Sequence, residues 1–407
     1  MRLTALLRHR SAEPAKLVFA LALGLSLGYA GALACGFMLH IWITDTQGHP
    51  VVEDFVAFWT AGHQALKGMA VTVFNVPLEH AAEIATIGHP FGQTLGWSYP
   101  PAFLFVAGLL SLLPYTASFL LWDAVTLAAY AATIGVIVRR PAAVLVACAA
   151  PWMLTALMPG QNGFLTAALV GAALLSLEKR PALAGIFLGL RSYKPQFGIL
   201  FPLVLGFAGY WRTFAWASAT TIAVNLCAGA VFGFDTLGAF LHALSSTTQS
   251  HLSHAGLGWS KLQSIYGLVR SMGVPEGIGW AAQAAFSAVV AAAVVAYWRG
   301  DASFSLKAAV LGSAVPLVTP YVFVYDLPVL AVTCAFLFEQ RSFDRTELWL
   351  MAATAPCIFA FLWVPFPTPF FASLAVAAMV VRRAVSQETS VQAAFAAAPL
   401  ALARRTP

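Results

Sequence analysis

LVFALALGLSLGYAGALACGFMLHIWI, residues 17–43, decides the fold class. It carries no Asp, Glu, Lys or Arg over its 27 positions, longer than the roughly 20 apolar residues an α-helix needs to cross the hydrocarbon core of a bilayer. A basic leader precedes it, with Arg2, Arg8, Arg10 and Lys16. Ala32-Leu33-Ala34 loosely imitates a signal-cleavage site, but a signal core has only about 7–15 apolar residues. The segment is therefore expected to be a retained span with its N-terminus inside. The rest of the chain repeats the theme: 60% of its 407 residues are hydrophobic and 9% charged, with a mean hydropathy of +0.80. A soluble domain carries about 25% charged residues, so a soluble enzyme is excluded, and no polar stretch is long enough to fold alone beside one anchor.

Reading outward from that first span gives an all-α polytopic membrane protein of about twelve transmembrane helices. After a short apolar segment at 100–113, the expected spans are 116–138, 141–158, 163–177, 181–193, 195–210, 213–232, 277–298, 305–319, 322–338, 347–364 and 368–381. The expected organisation is a leader over 1–16, one transmembrane domain over 17–385 and a tail over 386–407, with outer loops at 44–99 and 233–276. Alternate threading puts 17 of the 22 basic residues inside, the bias that orients membrane proteins. The basic balance is thus a topology signal and gives no reason to expect nucleic acid. Five cations run against it: Lys67, Arg191, Lys194, Lys261 and Arg270. A cation out of place needs another reason, and binding an anion is the obvious one. Gly24-x-x-x-Gly28 and Gly185-x-x-x-Gly189 fit close helix packing, and the five cysteines read as small core residues without a disulfide or metal pattern.

The polar residues that topology does not need point to a site. Residues 53–68, EDFVAFWTAGHQALKG, read as a short amphipathic helix on the membrane surface, with Phe55, Phe58, Trp59 and Leu66 on one face and Gly68 as its stop. Asp54 stands at its first turn, where a carboxylate serves as an N-cap or, beside a lipid-facing cleft, as a general base. Trp97 and Tyr99 suit an interface belt, and Gly160-Gln161-Asn162-Gly163 makes a polar turn that caps helices or binds hydroxyl-rich ligands. In Arg191-Ser192-Tyr193-Lys194-Pro195-Gln196 two cations interrupt an apolar stretch. They either snorkel to the surface or form a phosphate clamp, Arg191 as a planar fork and Lys194 as a point charge. Thr319 to Asp326 is a further broken turn that ends in an acid, and Asp123 inside a span is a candidate partner for a basic residue. His251 and His254 lack an evident third ligand, and no metal or other cofactor is expected. An anion or lipid transporter fits the same features, although no internal repeat is visible.

These pieces, in this order, resemble glycosyltransferase family 87 of the GT-C superfamily. The segments that carry the resemblance are DFVAFWTAGHQALKG from Asp54, YPPAFLFVAGLLSLLPY from Tyr99, the Gly160-Gln161-Asn162 turn followed by Leu165, YKPQFGILFPLVL from Tyr193 and TPYVFVYDLPVL from Thr319. The resemblance implies a GT-C-type bundle in the inner membrane of a bacterium, with an inverting site that faces outward. It implies a hexose, with mannose the expected sugar, moved from a polyprenyl-phosphate donor to a lipid-linked or glycan hydroxyl. The catalytic carboxylate of the first outer loop maps onto Asp54, and Lys194 with Arg191 would hold the donor phosphate. Trp59, Tyr99, Gln161, Asn162, Tyr193, Gln196, Tyr325 and Asp326 are the expected substrate contacts. Some members carry a histidine in the segment that matches Thr319 to Asp326; this chain has none there, which leaves Tyr325 and Asp326 as the candidates.

Overall fold

A computed structural model describes residues 2–92, 94–248 and 258–403; His251, His254 and the Arg404-Arg405 pair lie outside the described residues. The regular elements of the described residues are all helices, joined by turns and loops, with isolated bridges that join Trp42 to Thr44 and Thr44 to Pro50. Among them, five helices are long and apolar enough to cross a bilayer: Val18–Met38, Tyr115–Val138, Trp211–Phe232, Glu276–Arg299 and Pro369–Gln387. Shorter apolar helices, Pro101–Ser111, Gly163–Ser176, Pro195–Phe207 and Phe304–Ala314, pack between them.

Most of the expected segments are present with ends moved by a few residues, but a count of about twelve spans is not reproduced, because many segments stop short. The Pro181–Leu190 helix has ten residues, which at 1.5 Å per residue is about 15 Å, half the core of a bilayer. It ends where Lys194, held at φ −120° and ψ 77°, takes the extended backbone that a following proline demands. The expected span 141–158 is split into Pro141–Cys148 and Trp152–Leu157, because Pro151 has no N–H to continue the ladder.

One of the two glycine pairs packs as expected. A Cβ at Gly185 would lie 2.4 Å from the Trp216 Cβ, and one at Gly189 would lie 2.4 Å from the Thr220 Cβ, so the Pro181–Leu190 and Trp211–Phe232 helices meet backbone to backbone. Gly24 and Gly28 face open space. The first helix instead touches the bundle through Tyr29, whose hydroxyl donates to the Ala149 carbonyl at 3.3 Å. The cysteines are free, and Cys35 and Cys227 are exposed rather than in the core.

The loop that follows the first helix is built into the protein. Nine of the twelve residues of the Phe55–Leu66 helix are buried, which corrects the expectation of a helix lying on the membrane surface. Gly62 lets it approach the Leu104–Ser111 helix so closely that a Cβ would sit 2.0 Å from the Ala107 carbonyl oxygen. Phe58 then inserts edge-on among Trp97, Tyr99, Phe103 and Trp122, with ring centroids 5.4 to 6.4 Å away. At the Arg345–Ala360 helix start, Asp344 and Glu347 form a capping box. Glu347 also takes a bidentate bond from Arg383 at 2.6 and 2.7 Å, so Arg383, 2% exposed, is a packing element as well as a topology charge.

Candidate active site

A cavity of about 530 Å³ lies beside the start of the Phe55–Leu66 helix. Its polar part is lined by Glu53, Asp54, Tyr99, Gln161, Tyr193, Lys194, Gln196, Lys261, Tyr325 and Asp326, and its apolar part by Leu154, Met158, Ile358, Phe359 and Leu362. Eight of the eleven expected site residues thus meet around one space, although they come from five separate stretches of chain.

Asp54 precedes the Phe55–Leu66 helix, yet its side chain makes no capping bond. The helix N-terminus is served instead by the Pro159 carbonyl, which accepts from the Phe55 N–H at 3.0 Å. That frees the carboxylate to turn into the cavity, where its Oδ2 accepts from the Gln161 Nε2 at 2.9 Å. Gln161 is itself fixed: its Oε1 accepts from the Tyr99 hydroxyl at 3.2 Å and from the Asn162 N–H at 3.1 Å. The turn beneath is pinned by Trp122, which donates to the Gly160 carbonyl at 2.9 Å, and by Trp42, which donates to the Met158 carbonyl at 3.0 Å. Gly160 is at φ +62°, and a Cβ there would lie 2.8 Å from the Phe55 Cβ, so the turn needs glycine on both counts.

The protein surrounds Asp54 while leaving it partly open to the cavity. Burial raises its pKa above the ordinary carboxylate value; the Gln161 bond, Lys261 and Lys194 oppose that rise, and Glu83 adds to it. Burial and the neighbouring Asp54 charge push Glu53 up to about 7, against Lys261. A carboxylate whose pKa is raised by burial holds a proton more readily than a solvated one, which suits it to accept a proton.

Across the cavity, Lys194 donates to the Asp326 Oδ1 at 2.5 Å, and both side chains are buried. The second Asp326 oxygen accepts from the Phe323 N–H at 3.0 Å, and the Lys194 ammonium stands 5.2 Å from the Tyr325 ring centre. Tyr193 shares a 2.8 Å hydrogen bond with Thr166. Three expected contacts are not in the cavity lining. Arg191 points to the other side of its turn, so it and Lys194 do not form one clamp. Trp59 donates to the Leu113 carbonyl at 3.1 Å and stacks on His63, and Asn162 is fully buried behind Gln161.

The lining also holds Glu53, Ser98 and Tyr321, which sequence reasoning missed, and Lys261, which it marked as an out-of-place cation without assigning it to the site. Lys261 had one signal, its conflict with the charge rule. Glu83 is a supporting residue without any: its carboxylate accepts from the Thr94 hydroxyl at 2.9 Å and from the Leu95 and Gly96 N–H groups at 3.1 and 2.9 Å, which fixes the cavity edge. Asp123 is buried, and neither carboxylate oxygen has a hydrogen-bond partner among the described residues, so the expected basic partner is not there. Among the described residues no three His, Cys, Asp or Glu side chains are grouped as a metal ion requires.

Glycosyltransferase family 87 matches over residues 97–320, just over half of the chain. The matched stretch holds Tyr99, Gln161, Tyr193, Lys194 and Lys261, while Asp54 precedes it and Asp326 follows it. No curated protein and no solved structure matches the chain. With its apolar helices and that match, the chain belongs to glycosyltransferase family 87 and is a membrane glycosyltransferase.

Proposed function

We propose that the chain is an inverting hexosyltransferase that uses a polyprenyl-phosphate sugar, with mannose as the sugar, and a hydroxyl on a lipid-linked or glycan acceptor. We place the reaction at the outer face of a bacterial inner membrane. The observation that carries this reading is the composition of the single cavity: an uncapped carboxylate at one end, a cation opposite, and an apolar flank that reaches the outside of the bundle at Met158 and Leu362. A donor with a charged phosphate and a long apolar chain needs both halves at once.

In this mechanism the acceptor hydroxyl lies against the free Asp54 oxygen. As its oxygen bonds to the anomeric carbon, its proton passes to Asp54, and the bond from that carbon to the phosphate oxygen breaks on the opposite face. The bonding electrons leave with the phosphate, which departs as polyprenyl phosphate and needs no general acid. Lys194 stabilises the charge that develops there, using the N–H bonds that Asp326 does not occupy, and Lys261 adds a second positive charge across from Asp54. Gln161 and Tyr99 keep the base oriented, while Tyr193, Gln196 and Tyr325 supply polar edges for the sugar.

The test is transfer of labelled sugar into a total lipid and glycan extract by the purified protein. The donors are polyprenyl-phosphate-mannose, polyprenyl-phosphate-glucose and the matching nucleotide sugars. The expected result is incorporation from a polyprenyl donor, with inversion at the anomeric carbon and release of polyprenyl phosphate. Incorporation from a nucleotide sugar alone would overturn the proposal.

A further inference from the structure

Arg191 is a buried cation that the proposed reaction leaves unused. The turn that carries it is a wall with two faces. Tyr193, Lys194 and Gln196 line the reaction cavity, while Arg191, Ser192, Pro195, Gly198 and Ile199 line a second groove, of about 490 Å³. No residue lines both spaces. The groove runs between the Pro181–Leu190, Leu200–Phe207 and Trp211–Phe232 helices, and its outer margin, at Ile199 and Ile222, is exposed.

The groove is apolar apart from Arg191 and a few hydroxyls. Arg191 is 4% exposed, and its guanidinium lies 5.0 Å from the Phe201 ring centre. Its Nη1 reaches the Lys194 carbonyl only at 3.5 Å, its Nε has no partner, and no carboxylate pairs with it among the described residues. The Ser192 hydroxyl, in the same groove, is buried without a partner as well. Gly198 leaves room for the guanidinium, since a Cβ there would lie 3.0 Å from Nη2. A charge removed from water without a counter-ion is unfavourable, and a planar guanidinium beside a hydroxyl matches a phosphate.

We propose that this groove binds an anionic phospholipid of the bilayer, with its phosphate on Arg191 and Ser192 and an acyl chain along Phe214, Ala217 and Ile222. The occupant is a bilayer lipid and not the sugar donor, because the wall separates the groove from Asp54 and a ligand there cannot react. Arg191 belongs to the same turn as Lys194, so a lipid bound on it steadies the turn that presents Lys194 to the cavity. The inference does not depend on the reaction proposed above.

Native mass spectrometry of the full-length protein, with phosphatidylglycerol and phosphatidylcholine of identical chains, tests it. The wild type should retain one phosphatidylglycerol with a preference of roughly tenfold, because the choline cation of phosphatidylcholine offsets its own phosphate charge and is repelled by Arg191. Arg191→Gln should abolish that preference. Ser218→Phe, which fills the groove from the opposite helix and leaves Arg191 in place, should reduce retention even if the first variant fails to fold. Excess polyprenyl phosphate should leave the phospholipid bound. Equal retention of the two lipids by the wild type, an unchanged preference in a folded Arg191→Gln, undiminished retention in Ser218→Phe, or one-for-one displacement by polyprenyl phosphate would each overturn the proposal.

Discussion

Replacing Gln161 by leucine deletes the 2.9 Å bond that steadies the Asp54 carboxylate and also takes the acceptor from the Tyr99 hydroxyl and the Asn162 N–H. A hydrogen bond to a charged group is worth about 1.5–3 kcal/mol, and one pKa unit corresponds to about 1.4 kcal/mol. Because Asp54 is partly open to the cavity, water recovers some of that loss, which leaves a shift of about one unit. The sign follows from the environment: burial raises the Asp54 pKa and the Gln161 bond opposes it, so the variant has the higher pKa. A base works only when ionised. The acid limb of kcat/KM against pH should therefore move up by about one unit, with about a tenfold loss below the limb and convergence with the wild type above it. Tyr99→Phe, which removes only the 3.2 Å bond that orients the Gln161 amide, should move the limb in the same direction by less. Transfer of labelled sugar at a series of pH values measures both. A uniform loss at every pH, or a limb that moves down, would mean that Gln161 shapes the cavity without acting on Asp54.

Lys194→Ala strands the buried Asp326, whose side chain is 1% exposed, and should cost about 3–5 kcal/mol of stability; pairing Lys194→Met with Asp326→Asn should recover most of it in thermal unfolding, without recovering transfer. Gly185→Val forces a side chain into Trp216 and the Thr213 carbonyl and should destabilise by about 1–3 kcal/mol or more, whereas Gly28→Val, in open space, should change stability by about 0.5 kcal/mol at most; equal effects would contradict the packing described. In a cysteine-free background, a cysteine at Gly68 should react with an impermeant reagent from outside and one at Arg140 should not. The reverse pattern would invert the orientation.

Membrane class, helix positions and most of the cavity lining were legible because they depend on local chemistry. Apolar run length locates 116–138 and 213–232 almost to the residue, and cations against the charge rule single out Lys194 and Lys261. What was not legible depends on contacts distant in sequence. The Phe55–Leu66 segment has the alternation of a surface helix, and only the approach of Gly62 to Ala107 buries it. Arg191 and Lys194 are three residues apart, a spacing that suggests a shared ligand. The short turn before Pro195 sends them to opposite sides of a wall, and one-dimensional spacing does not reveal that. Asp54 was read both as a cap and as a base, and it is the Pro159 carbonyl, on another element, that relieves it of capping. Glu83 and its hold on residues 94–96 had no sequence signal, since a lone glutamate in a helix usually faces solvent.

The most direct test of the central claim is the rate of sugar transfer by Asp54→Asn beside the wild type, with yield and thermal stability measured on the same preparations. Asparagine keeps the shape of the side chain and an oxygen for the Gln161 amide, and it removes only the ability to take a proton. The account predicts a loss of at least about 100-fold, the lower end of what general-base catalysis contributes, in a protein that inserts and melts as the wild type does. A rate within a few-fold of the wild type would contradict it.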